Sequence, residues 1–210
     1  MSAKDIFVTG TDTNIGKTVL SALLCAAENR TYWKPIQSGL VERSDRESVM
    51  AFAGIPESQT LAETYRFLAP LSPHLSARLA GMQIDLKAIR RPATPEPLVI
   101  EGVGGVLVPL NDSHLMIDLM TQLNAPVVVA ARTALGTINH TLLTVQALRG
   151  AGLRVRGIVL IGDENDENQR AIEKYGKVSV LGRIPALTAV NRDILLSTYD
   201  THFKAWREHE

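Results

Sequence analysis

Two patterns of apolar positions alternate along this chain: short uninterrupted apolar runs, and longer stretches in which apolar residues return at three- and four-residue spacing. The run Ile6-Phe7-Val8 predicts a buried strand, and Val19, Leu20, Leu23, Leu24 and Ala27 predict one side of a helix to Glu28. Thr31-Tyr32-Trp33 is a short β-prone run. Pro35 stops regular pairing after it, which places Lys34 at the carboxyl end of a strand. A polar loop over Leu40–Ser44 precedes a short helix from Asp45 to Ala53, with Ser44 as its N-cap. The turn-rich segment Ala69–His74 leads into a helix over Leu75–Ala80, and a further short helix around Asp85–Ile89 ends in a run containing Pro92, Pro95 and Pro97.

Leu98-Val99-Ile100 reads as a strand ending on Glu101 and a glycine-rich turn, and Asp112–Leu123 as an amphipathic helix. Pro126–Ala131 has the unbroken apolar character of a fully buried parallel strand. A helix through Leu142, Leu143, Val145 and Leu148 stops near Gly150 and Gly152. Strands over Val155–Ile161 and Val178–Leu181 and a terminal helix from Asn191 to Trp206 complete the series. Five or six parallel strands separated by helices predict one doubly wound, mostly parallel α/β domain over residues 1–210, in three α/β/α layers. Its site is expected at the carboxyl edge of the strands.

The first strand, loop and helix start also carry chemistry. Gly16-Lys17-Thr18 closes a polar loop that begins at Gly10, the order of a phosphate-binding P-loop. Loop N–H groups and the helix's positive end can cradle polyphosphate. Lys17 can neutralise the outer phosphates, and the Thr18 hydroxyl can ligate Mg²⁺. In G-x-x-x-x-G-K-S/T the first glycine falls at Thr11; here Gly10 stands one residue early, so the loop must turn without glycine at Thr11. Glu101, an acid at a strand's end, is placed as a magnesium-holding residue would be. Several other residues read more plainly. Asp45 is a favourable charge in a helix's first turn. His74 is a loop or capping residue, and His140 a helix-start residue satisfied by a cap. The acidic loop Gly162–Glu167 lacks the spacing of a calcium loop.

Composition narrows the function class. Lys plus Arg and Asp plus Glu are 22 each among 210 residues, so no net field favours nucleic acid or an anionic membrane. Hydrophobic residues at 45% and charged residues at 21% are ordinary for a soluble enzyme. The single cysteine, Cys25, lies among Leu23, Leu24, Ala26 and Ala27 and reads as packing. An early first strand leaves no room for a signal peptide, and no apolar run spans a bilayer, which predicts a cytosolic protein.

Several motifs together resemble one family, the dethiobiotin synthetases of biotin biosynthesis. They are VTGTDTNIGKT (Val8–Thr18), WKPIQSG (Trp33–Gly39), Ser44-Asp45, SPH (Ser72–His74), EGVGG (Glu101–Gly105) and LGTINHTLLT (Leu135–Thr144). The early Gly10 belongs to that family's own loop. The resemblance implies a P-loop enzyme that makes the ureido ring of dethiobiotin from 7,8-diaminononanoate, CO₂ and ATP, with Mg²⁺, as a homodimer. It implies a carbamate that attacks the γ-phosphate and a carbamic–phosphoric anhydride closed by the second amine. Lys34 and Lys17 become the catalytic residues, and Thr18, Asp45 and Glu101 the magnesium set. Asn14, Ile15, Gly16, Lys17, Thr18 and Val19 would hold the nucleotide. Asp45, Glu101, Gly102, Val103, Gly104 and the turn Pro185, Ala186, Leu187 would join them. Thr11, Ser38, Leu135, Gly136, Thr137 and Asn139 would contact substrate, the last four holding its carboxylate tail across the dimer interface.

Two departures stand out. Many members carry Asn-Asp after the penultimate strand to read adenine; here Leu160-Ile161-Gly162-Asp163 puts Ile161 or Gly162 at the Asn position. The segments Gly39–Ser44 and Asp85–Pro97 are also short. A P-loop switch of the partitioning or cell-division type is disfavoured by Asp12, where such proteins carry their signature lysine, and by Lys34-Pro35. Cobyrinate-type amidoligases need a glutaminase domain with a nucleophilic cysteine, which the chain lacks. A small-molecule kinase would account for the P-loop but offers no reason for EGVGG and LGTINH together.

Overall fold

The computed structural model describes residues 5–40 and 43–208. In chain order the elements are β1 (Ile6–Gly10), α1 (Lys17–Glu28), β2 (Thr31–Trp33), β3 (Ile36–Ser38), α2 (Asp45–Ala53), β4 (Thr60–Leu61), β5 (Tyr65–Phe67) and α3 (Pro73–Leu79). There follow β6 (Leu98–Gly105), α4 (Met116–Leu123), β7 (Val127–Arg132), α5 (Thr137–Gly150), β8 (Val155–Ile161), α6 (Asp166–Gly176), β9 (Val180–Ile184), α7 (Arg192–His202) and α8 (Lys204–Glu208).

Seven strands form a parallel sheet in the order β4-β2-β6-β1-β7-β8-β9. From β1 the chain goes out to β2 and β4 and returns to β6 beside β1, then crosses to β7, β8 and β9 on the other side. β1 and β6 therefore lie at the sheet's centre, with their carboxyl ends at the switch point where parallel α/β folds bind ligands. Strand alternation sorts side chains into two cores. Phe7, Trp33, Ile100, Val127 and Val129 join α4, α5 and α6 on one face. Ile6, Val8, Tyr32, Val99 and Val128 join α1, α2, α7 and α8 on the other. Each fully buried aliphatic or aromatic side chain contributes on the order of 1.5–3 kcal/mol, so three layers follow from the period-two pattern of the strands.

The strand count exceeds the five or six expected. Thr60–Leu61 is too short to show a pattern and pairs only at the edge, while β3 and β5 form a separate parallel pair. Pairing resumes beyond Pro35 because the Pro35 carbonyl accepts from the Thr64 and Tyr65 N–H groups, 2.8 and 3.0 Å away. The helix expected from Asp112 begins only at Met116, since Pro109 and Leu115 first form an antiparallel bridge. The terminal helix breaks at Phe203, whose ring is fully buried and stacks on Tyr199 at 5.4 Å. The loop expected over Leu40–Ser44 includes positions outside the described residues.

Ser44 does cap α2, and reciprocally. Its Oγ accepts from the Glu47 N–H at 3.2 Å, and the Glu47 carboxylate accepts from the Ser44 N–H at 2.7 Å. This cap fixes where Asp45 enters the sheet edge. Ser44→Ala should lower the unfolding free energy by about 1 kcal/mol; urea titrations of the two proteins giving the same midpoint and slope would contradict the cap's role.

Candidate active site

Strand register builds the site. Trp33 pairs with Ile100, so Lys34 emerges beside Glu101. Val8 pairs with Glu101 on the other side, which brings the loop after β1 over the same point. That loop takes its shape from two constraints. A Cβ on Gly10 would stand 2.5 Å from Ile15 Cγ2, so the early glycine lets the loop fold back on its own strand. The turn itself comes from Asn14 and Gly16 in left-handed conformations, φ 54° and 91°. Arg132, at the end of β7, donates to the Thr13 carbonyl at 3.1 Å and pairs with Asp12 at 3.3 Å, tethering the loop's tip.

Four functional side chains converge behind the loop. Lys34 Nζ lies 2.5 Å from Asp45 Oδ2 and 3.0 Å from Glu101 Oε1. The Thr18 hydroxyl reaches both carboxylates at 3.1 Å. Lys17 Nζ donates to the Asp12 carbonyl at 3.0 Å. Gln37, from β3, accepts from the Asp45 N–H at 3.2 Å and so aligns α2 with the cluster. Lys17, Lys34 and Glu101 are only 7%, 4% and 1% exposed, so their charges act in a medium that screens poorly.

The protonation states follow from this arrangement. Burial opposes charge on Lys34, but Glu101 and Asp45 outweigh it and hold the ammonium above the ordinary lysine range. Burial likewise works against the Asp45 carboxylate, yet Lys34 and hydrogen bonds from Thr18 and Gln37 keep it below the usual range. Lys17 lacks such close partners: burial, reinforced by Lys34, lowers it from 10.5 to about 8. The Tyr32 phenol, pushed well above its ordinary value by burial and then by Glu101, stays protonated.

Lys17, Thr18, Lys34, Asp45 and Glu101 line a cleft of about 520 Å³ with Asn14, Ser38, Val103 and Gly104. Its donor set is two carboxylates and a hydroxyl beside a phosphate-type loop. No trio of His, Cys, Asp or Glu capable of holding a metal by itself exists among the described residues. That set fits Mg²⁺, which commonly takes one or two carboxylates and completes its shell with water and phosphate oxygens.

Comparison with known proteins gives the chain's family. An AAA-domain family model matches residues 4–193. The chain is 50% identical to the ATP-dependent dethiobiotin synthetase BioD of Rhodopseudomonas palustris (strain BisB5), over 94% of this chain and 93% of the relative. It is 48% identical to that of Agrobacterium fabrum, covering 93% and 92%. The chain belongs to the ATP-dependent dethiobiotin synthetase family. Among solved structures, a ParA family ATPase from Chlorobium tepidum aligns with a TM-score of 0.56 at 12% identity, covering 98% of this chain and 92% of that one. The MinC:MinD cell division complex of Aquifex aeolicus aligns with a TM-score of 0.53 at 12% identity, covering 93% and 86%. Those two share the fold with this family member.

The motif residues do not all gather in the cleft. Thr11 bonds through its N–H to the Ala130 carbonyl, Val19 lies a turn into α1, and Gly102 is buried beneath Phe7. Leu135, Gly136, Thr137 and Asn139 sit at the junction of β7 and α5, where Leu135 is fully exposed and the Thr137 hydroxyl donates to the Arg132 carbonyl. Pro185, Ala186 and Leu187 follow β9 along the same sheet edge, outside the cleft. His140 is an exposed residue inside the first turn of α5 and caps nothing with its side chain. The cleft also contains residues that motif reading did not assign: Gln37, Arg43 and the turn Pro70–Pro73. Gln37 lies inside WKPIQSG and Ser72-Pro73 inside SPH, so both had a signal; Arg43 had none.

The low Lys17 value has a direct consequence. As pH rises through about 8 the free protein loses the Lys17 ammonium. In EDTA, affinity for nucleoside triphosphate should fall above that point, by at most about tenfold per pH unit. Calorimetric titrations showing a flat profile from pH 7 to 9.5 would remove this role from Lys17.

Proposed function

We propose that this ligase-type member of the ATP-dependent dethiobiotin synthetase family carboxylates 7,8-diaminononanoate with CO₂ and closes the ureido ring in a magnesium-dependent reaction, as one catalytic domain of a cytoplasmic homodimer. The observation that carries the reading is the buried Lys34 ammonium shared between Asp45 and Glu101 at the mouth of a P-loop.

In this reading an amine of the substrate adds to CO₂, losing a proton and leaving a carbamate. Lys34 and Ser38 hold the carbamate, Lys34 as a fixed positive charge against its oxygen. The P-loop N–H groups of Asn14 to Thr18 and the Lys17 ammonium bind the triphosphate, and Lys17 stabilises charge that develops on the γ-phosphoryl group. A carbamate oxygen attacks phosphorus and ADP departs. The second amine then attacks the anhydride's carbonyl carbon, a C–N bond forms, and phosphate leaves. Thr18, Asp45 and Glu101 would hold Mg²⁺, which when bound neutralises phosphate charge. Leu135, Gly136, Thr137 and Asn139 lie outside this protomer's cleft, which supports their contacting substrate from a partner subunit.

The test is incorporation of ¹⁴CO₂ into acid-stable product with 7,8-diaminononanoate, ATP and Mg²⁺. Absence of product above blank would falsify the reading. Lys34→Ala should lower turnover by at least about a hundredfold while the protein stays folded; turnover within a few-fold of the parent would exclude Lys34 from the chemistry.

Base selection should be loose. Gly162 has φ +129°, and a Cβ there would stand 2.4 Å from the Thr133 hydroxyl oxygen, so this position offers the base backbone atoms only. A site built on side-chain base contacts rejects the wrong partner strongly, and one without them does not. Initial rates with ATP, GTP and CTP should therefore fall within about tenfold of one another; a steep preference for ATP over CTP would count against this.

A further inference from the structure

Tyr32 is a fully buried phenol that the reaction scheme above does not use. It lies on β2 opposite Val99 of β6, two residues before Glu101 and on the same face of the sheet. Its hydroxyl donates to Glu101 Oε2 at 3.0 Å. The other oxygen, Oε1, receives Lys34 and Thr18, at 3.0 and 3.1 Å. The Glu101 carboxylate is thus divided between a core-facing oxygen bound by one neutral donor and a cleft-facing oxygen bound by the P-loop and the lysine.

Phenylalanine would fill the same apolar space without bringing a hydroxyl into the core. A buried hydroxyl is tolerated there because it has a partner, and Glu101 is the one it has. Without that donor, Oε2 would be a buried carboxylate oxygen with no hydrogen bond among the described residues, and rotation about the last side-chain torsion would become the carboxylate's route to new partners. The hydroxyl therefore fixes which oxygen faces the cleft.

We propose that Tyr32 is a positioning residue for the divalent cation: by holding Oε2, it keeps Glu101 Oε1 aimed at the point where Thr18 and Asp45 also converge. This rests on the reading of Glu101 as a magnesium ligand. Partners that orient a metal-bound carboxylate are typically worth tenfold to a hundredfold in metal affinity.

The test uses Mn²⁺ as a spectroscopic substitute, titrated by electron paramagnetic resonance into the full chain with a non-hydrolysable ATP analogue. Tyr32→Phe should weaken Mn²⁺ binding about tenfold, while affinity for the analogue in EDTA stays within twofold of the parent. Tyr32→Met, which also keeps apolar volume, gives the same comparison should the phenylalanine variant melt too early to titrate. In a Glu101→Gln background, Tyr32→Phe should cause no further loss, because the tyrosine acts through that carboxylate. Unchanged Mn²⁺ affinity in folded Tyr32→Phe, or equal loss in both backgrounds, overturns the inference. If Glu101→Gln alone leaves Mn²⁺ affinity untouched, it is the ligand reading of Glu101 that fails, and the role of Tyr32 falls with it.

Discussion

The contact on which the rest of the site depends is the one between Lys34 and Glu101. Taking either charge out of water costs several kcal/mol, and a buried pair recovers that only with good geometry and further hydrogen bonds. Here the carboxylate has three donors, from Lys34, Thr18 and Tyr32. Those donors come from β2 and the residue just beyond it and from the first turn of the helix after the P-loop, while the carboxylate itself belongs to β6, and Asp45 adds the start of α2 through the same lysine. One buried charge therefore sets the relative position of β2, β6, α1 and α2. Removing Lys34 would leave the buried Glu101 carboxylate without its counter-charge, a change worth about 3–5 kcal/mol, so the cluster constrains fold and chemistry together.

The same constraint separates the roles of the two lysines. Lys34 is held charged by two carboxylates, whereas Lys17, equally buried, has a carbonyl as its direct partner and titrates near 8. Under the proposed reaction this division is useful. A lysine already neutralised by carboxylates cannot also meet the full charge of a triphosphate, but a lysine short of partners gains most from one. The P-loop's curvature serves that end: Gly10 lets Ile15 pack down onto β1, and the fold-back brings Lys17 over the strand end rather than out into solvent.

Much of this was legible in the sequence, and the limits have physical causes. The parallel strands at the centre announce themselves because both faces are buried, which leaves unbroken apolar runs such as Val127–Ala131. The P-loop and Ser44 cap were readable because each uses a residue type that the backbone demands. β4 and the β3–β5 pair were not, since two- and three-residue strands carry no period: β4 exists through its pairing with β2, and the β3–β5 pair follows the bonds that Thr64 and Tyr65 make to the Pro35 carbonyl. The break at Phe203 depends on a ring stacking on Tyr199 and meeting Trp206, contacts with no trace in helical spacing. Tyr32 reads as an ordinary β-prone core residue until the register of β2 against β6 is known. The roles expected of Lys34 and Asp45 came from family motifs, and that of Glu101 also from its place after an apolar run; only the fold brings both carboxylates within hydrogen-bond distance of Lys34.

Fold alone would have left the function open. The ParA and MinD proteins share the parallel sheet and its order of layers at 12% identity, and a fold shared at that distance carries no activity with it. What points to chemistry in this chain is local: an ammonium placed between two carboxylates where β2 ends beside the middle of β6, next to an open cleft. A nucleotide-state switch needs an element that moves when the γ-phosphate leaves. The buried charges here are instead paired with one another and anchored in two strands and a capped helix. Such a set is suited to stabilising charge on a small reacting group without reorganising, which is the demand that the proposed carbamate phosphorylation would make of it.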